Sequence, residues 1–126
     1  MAKRRILIVE DDQPLLEALA IKFANEDFEV FKAKDGQEGL DLAVNNCPDI
    51  ILLDIIMPKM HGWQMLEKLR EDQWGKEAKV IILSNVSDPV KIEEAKKTGG
   101  VIDYLVKTEL KLEDVIKIVK ERLGLN

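Results

Sequence analysis

The chain has 126 residues, 46% hydrophobic and 34% charged, which is enough for one buried core and too apolar for a disordered segment. Its 19 basic and 24 acidic side chains leave a formal net charge of -5, so no broad attraction to nucleic acid or anionic lipid is expected. Cys47 is the only cysteine, which excludes an internal disulfide and a cysteine-rich zinc site.

The basic start, Lys3 to Arg5, is followed by only four apolar residues, Ile6-Leu7-Ile8-Val9, and then by acids. That is too short for the apolar part of an export signal, and no run approaches the ~20 residues needed to span a bilayer. A cytoplasmic protein without membrane contact is expected.

Ile6 to Val9 predicts the first strand. Pro14, just past Asp11-Asp12, opens a helix on which Leu15, Leu16, Leu19 and Phe23 share a face, with Asp12 read as its cap. Phe28 to Ala33 is mixed in polarity and predicts an edge strand. Asp35 with Glu38 forms a capping-box pattern before a second helix, with Leu40, Ala43 and Val44 inward. Cys47, beside Pro48 near that helix's end, reads as a small packing residue. Ile50 to Leu53 and Val80 to Leu83 are continuous apolar runs, as expected of strands covered on both faces. Between them, Trp63, Leu66 and Leu69 mark a third helix. Asp88-Pro89 opens a fourth, which Gly99-Gly100 ends. Val101 to Val106 predicts the last strand. Leu112, Val115, Ile116, Val119 and Leu123 form a fifth helical stripe, stopped by Gly124.

Five βα units in strict alternation predict an α/β fold. The expected form is a doubly wound, five-stranded parallel sheet in the order 2-1-3-4-5, with residues 1–126 as a single domain. Ligands of such sheets bind outside the carboxyl ends of the strands. Those ends carry Glu10-Asp11-Asp12, Asp54, Ser84-Asn85, and Tyr104 with Lys107. Strands 1 and 3 are neighbours at the switch point, so Glu10, Asp11 and Asp54 should converge. Three carboxylates together either keep protons or bind a cation, and an all-oxygen set suits Mg²⁺. Lys107 and Ser84 would complete a cradle around a phosphoryl group on Asp54, a carboxylate nucleophile.

These residues resemble the response-regulator receiver family of two-component signalling, whose fold is flavodoxin-like. The carriers are Ile8-Val9-Glu10-Asp11, Leu52-Leu53-Asp54, Met57-Pro58 through Gly62, Ile82-Leu83-Ser84, and Tyr104-Leu105-Val106-Lys107, in order over essentially the whole chain. The resemblance implies that Asp54 is the phosphoacceptor. Asp11 binds Mg²⁺ directly, Glu10 acts through water, and Ile56 adds its backbone carbonyl. Ser84 and Lys107 contact the phosphoryl oxygens, and Tyr104 swings inward when Ser84 moves. It further implies a histidine kinase or phosphotransfer protein as donor. A downstream output protein would read the fourth helix, fifth strand and fifth helix, a face that is also a candidate for weak self-association. The implied role is regulatory, with self-catalysed transfer and slow autodephosphorylation rather than turnover. No output domain is expected within the chain.

Three positions depart from the family pattern. Thr108 stands where proline is usual, so a cis bond after Lys107 is disfavoured. His61 precedes Gly62 where aspartate is common and reads as a turn residue. Asn85 follows Ser84 where a smaller residue is usual, which narrows access. Ile56 and Val86, two residues past Asp54 and Ser84, cannot hydrogen-bond an attacking water, so a long-lived phosphorylated state is expected. The alternatives are a binding module that never takes phosphate, a Mg²⁺-dependent phosphohydrolase, and a flavin carrier. The hydrolase would want an aspartate where Ile56 stands, and the flavin carrier a loop without acids after strand 1.

Overall fold

The computed structural model describes residues 3–55 and 60–125. Its strands are β1 (Arg4–Val9), β2 (Phe28–Ala33), β3 (Ile50–Leu53), β4 (Val80–Ser84) and β5 (Asp103–Val106). They form one parallel sheet in the order β2-β1-β3-β4-β5. The helices are α1 (Gln13–Asn25), α2 (Gly36–Asn46), α3 (Gly62–Glu71), α4 (Pro89–Thr98) and α5 (Leu112–Arg122). The expected doubly wound order is the one observed.

Alternation along each strand splits the apolar side chains between two faces. Ile6 and Ile8 of β1 join Leu16, Leu19 and Phe23 of α1 and Val115 and Val119 of α5 in one core. Leu7 and Val9 point the other way, to Ala43 of α2, Met65, Leu66 and Leu69 of α3, and Ala95 of α4. The continuous runs of β3 and β4 are buried throughout because helices cover both their sides. Edge strand β2 keeps exposed or half-exposed residues between its buried ends.

The helix starts follow their caps. The Asp12 carboxylate accepts the Leu15 N–H at 3.4 Å, the Asp35 carboxylate the Glu38 N–H at 2.9 Å, and the Asp88 carboxylate the Val90 N–H at 3.0 Å. Glu38 reaches back one residue beyond the box position, to the Lys34 N–H at 3.3 Å. His61 sits at the start of α3, where its N–H donates to the Gln64 side chain at 3.1 Å.

Two expectations about packing fail. Val44 is 36% exposed rather than inward. The buried residues of α2 are Gly36, Gly39 and Ala43, so only a narrow stripe meets the sheet and Val44 falls on its flank. Cys47 is exposed and caps α2 in the left-handed region, with φ 45°, instead of packing inward. Two single 3-10 turns, Gly75–Glu77 and Lys107–Glu109, were also unanticipated. All peptide bonds of the described residues are trans, including the one after Lys107.

Gly62 fixes how closely α3 approaches the end of β3. Its N–H donates to the Ile55 carbonyl at 3.1 Å. A Cβ there would lie 2.4 Å from the Asp54 carbonyl oxygen and 2.5 Å from the Ile55 Cα, both main-chain atoms that cannot rotate away. Gly62→Ala is therefore expected to lower the unfolding free energy by about 1–3 kcal/mol despite alanine's better helix propensity. Urea denaturation measures this, and an unchanged midpoint would contradict the close approach.

Candidate functional site

Register brings the site together. Val9 pairs with Leu53, so the next residues, Glu10 and Asp54, leave adjacent strands side by side. Their main chains are held by Glu10 N–H to the Ala33 carbonyl and Asp54 N–H to the Val9 carbonyl, each 2.9 Å. Ser84 pairs with Val106, which places Lys107 at the same edge. Glu10, Asp11, Asp12, Asp54, Ser84, Asn85 and Lys107 line a cleft of about 220 Å³ there.

Glu10, Asp54 and Ser84 are 1%, 5% and 1% exposed, whereas Asp11 faces solvent. One carboxylate oxygen from each of Glu10, Asp11 and Asp54 lies within 4.8 Å of the others. The Lys107 ammonium donates to Glu10 Oε1 at 2.9 Å and to Asp54 Oδ2 at 3.3 Å. Glu10 Oε1 also accepts the Asp12 N–H at 3.2 Å.

Burial raises the Glu10 carboxyl from 4.5 to about 7; the Asp54 charge pushes the same way, and the Lys107 hydrogen bond opposes it only in part. Burial pulls the Lys107 ammonium down. Its hydrogen bond to Glu10 and the charges of Asp54 and Glu10 outweigh that and hold its pKa above the ordinary value.

A chain of hydrogen bonds leads out of the cleft. Ser84 Oγ accepts the Val86 N–H at 3.2 Å, and the Tyr104 hydroxyl donates to the Val86 carbonyl at 2.8 Å. Tyr104 lies buried against the sheet, and burial raises its phenol pKa against the effect of a hydrogen bond with Ser84. The main chain of Val86 as a link was missed in sequence, since no side-chain pattern signals a backbone contact. Asn85 is exposed at the rim and Val86 is half-buried. Ile56, the expected backbone ligand, lies outside the described residues, as do Met57 and Pro58.

The larger hollow is elsewhere. A groove of about 730 Å³ runs between α1 and α5. Its charges are already matched in part, Lys22 with Glu113 and Lys120 with Glu26, and among the described residues no buried titratable group lines it. The chemistry belongs to the smaller cleft.

A sequence profile of the response regulator receiver domain matches residues 6–120. Response regulator MprA of Mycobacterium sp. (strain KMS) is 36% identical over 103 residues, covering 82% of this chain and 44% of that protein. The chain thus spans less than half the length of that relative. Chemotaxis protein CheY4 of Vibrio cholerae superposes with a TM-score of 0.87 at 26% identity, over 95% of this chain and 98% of that one. CheY from the CheX-CheY-BeF3-Mg²⁺ complex of Borrelia burgdorferi gives 0.85 at 29% identity, over 95% and 89%. With this profile match and an identical strand order, the chain belongs to the response regulator receiver domain family of two-component signalling, a family of regulatory domains.

Proposed function

We propose that Asp54 is the phosphoacceptor of a two-component phosphorelay, taking its phosphoryl group from a histidine kinase or a histidine phosphotransfer protein in the presence of Mg²⁺. The observation that carries this reading is the buried Asp54 carboxylate, 3.3 Å from the Lys107 ammonium and beside two further carboxylates. Lys107 is shared by Glu10 and Asp54, with the Asp11 carboxylate beside them. Three carboxylate oxygens within reach of one another form an all-oxygen donor set, which fits a hard divalent ion. Glu10, Asp11 and Asp54 would hold Mg²⁺, joined by the Ile56 carbonyl. When bound, Mg²⁺ supplies charge neutralisation for the carboxylates and the phosphoryl oxygens. The Borrelia relative, solved in a complex containing Mg²⁺, supports the same assignment.

The transfer needs little of the protein beyond position and charge. An Asp54 carboxylate oxygen forms the new bond to phosphorus as the bond from phosphorus to the donor imidazole nitrogen breaks, and the imidazole keeps that electron pair. Lys107 exchanges its carboxylate partners for a phosphoryl oxygen. The Ser84 hydroxyl donates to another while its oxygen still accepts from Val86. Ser84, Val86 and Tyr104 then pass the change to the face built by α4, β5 and α5, which a downstream output protein reads. Weak self-association through that face belongs to the same proposal, as does a cytoplasmic location; no described helix is long and apolar enough to cross a membrane. Asn85 at the rim limits access to the cleft, and the residues two past Asp54 and Ser84 in sequence, Ile56 and Val86, have no side-chain group that could hydrogen-bond a water.

Incubation with Mg²⁺ and a small phosphodonor should add one phosphoryl mass to the wild type and none to Asp54→Asn, and omitting Mg²⁺ should abolish the label. Equal labelling of Asp54→Asn would contradict the assignment. Ile56→Asn should shorten the life of the phosphorylated protein severalfold, read as decay of the label; equal or slower decay would refute the water-exclusion argument.

The raised Glu10 pKa gives a signed prediction for the metal-free protein. A carboxyl whose folded pKa exceeds its unfolded value stabilises the fold below pH 4.5, and that contribution is lost as pH rises through 7. The unfolding free energy of the wild type minus that of Glu10→Gln should therefore fall by on the order of 2 kcal/mol between pH 4.5 and 8 in the presence of a chelator. Parallel stability curves would show that Glu10 is not perturbed.

A further inference from the structure

We propose that Arg70 is a positioning residue that pins the C-terminal end of α4 and leaves the N-terminal end of that helix as the mobile one. The guanidinium, on α3, donates to four main-chain carbonyls. Nε reaches Gly99 at 2.9 Å, one terminal nitrogen reaches Gly75 at 2.7 Å and Ala78 at 2.8 Å, and the other reaches Gly100 at 3.2 Å. A planar fork with five N–H groups can serve this many acceptors at once, and a lysine cannot. One side chain thereby ties α3, the turn before β4 and the connection from α4 to β5.

The same end of α4 is tight in other ways. A Cβ on Gly99 would lie 2.5 Å from a Leu66 methyl and 2.9 Å from the Ala95 carbonyl oxygen, so the helix end sits hard against α3. Gly100 has φ +63°, a conformation that glycine adopts without strain. Ala95 is the single buried residue of α4, and it lies in this half. The other end differs. Asp88, Pro89, Val90 and Lys91 are exposed there, and the core contact of this half is the half-buried Ile92. That free end is only a few residues beyond Ser84 and Val86. A ten-residue helix is about 15 Å long, so a 10° turn about Gly99–Gly100 moves its far end by roughly 2.5 Å. What drives such a turn rests on the proposed role of Ser84; the pin itself does not.

Amide hydrogen exchange of the full chain, resolved by residue and without any phosphodonor, tests the pin. In the wild type, amides 97–100 should exchange at least tenfold more slowly than 91–93. Arg70→Lys should accelerate 97–100 at least tenfold and leave the amides of β3 and α5 unchanged. Equal protection at both ends of α4 in the wild type would overturn the proposal. So would uniform acceleration along the chain in Arg70→Lys, the mark of a general stabilising residue. If Arg70→Lys does not fold, Arg70→Gln and Gly100→Ala perturb the same end, and unchanged exchange of amides 97–99 in both would overturn the proposal. Phosphodonor labelling of Asp54 is a separate measurement, so its failure would strike the phosphoacceptor reading and leave this gradient standing.

Discussion

Two buried carboxylates and one ammonium at the carboxyl edge of the sheet set the terms for this molecule. Burying a charge costs several kcal/mol even after relaxation, and only close partners offset it. Glu10 and Asp54 share Lys107, at 2.9 and 3.3 Å, with an exposed Asp11 beside them. Burial and the neighbouring Asp54 charge leave the Glu10 carboxyl holding its proton up to about pH 7, against the opposing Lys107 hydrogen bond. A divalent cation would add charge neutralisation to this buried cluster.

The sheet forces this juxtaposition. Parallel pairing of Val9 with Leu53 and of Ser84 with Val106 brings the four chain segments out at one level. Apolar side chains fill both faces below that level, so the charged groups can collect only at the rim. Gly62 then lets α3 begin directly against the Asp54 main chain. Reversing a 1:99 population needs about 5.5 kcal/mol of differential interaction. Under the proposed function, a doubly charged phosphoryl group drawing on Lys107 and Ser84 would act in a buried setting where such contacts are strong. The hydrogen bonds between Ser84 and Val86 and between Val86 and Tyr104 lie on the side of the cleft from which the chain runs into α4.

Much of this was legible in the sequence, for identifiable reasons. Continuous apolar runs marked β3 and β4 because helices cover both faces of those strands. Asp12, Asp35 and Asp88 marked helix starts because a short carboxylate competes well for the first free N–H groups. Alternation of strand and helix gave the strand order, and the order alone placed Glu10 and Asp11 beside Asp54. Single-residue packing was less legible. Val44 follows the helical period, yet its exposure depends on how narrow a stripe Gly36, Gly39 and Ala43 leave for contact. Cys47 near a helix end looked like filler, whereas chain reversal there required a left-handed residue. The Arg70 clamp had no signature at all, since its partners are main-chain carbonyls from two segments, 75–78 and 99–100, and every residue has a carbonyl.

The central claim is that Glu10, Asp54 and Lys107 behave as one electrostatic unit open to a divalent ion. Side-chain carboxyl ¹³C resonances of Glu10 and Asp54, followed by NMR during Mg²⁺ titration of the wild type and of Lys107→Met, test it most directly. Both resonances should shift together with a single binding isotherm, and removing the ammonium should alter both the starting shifts and the affinity. Resonances that ignore Mg²⁺, or that respond independently of each other and of Lys107, would contradict it.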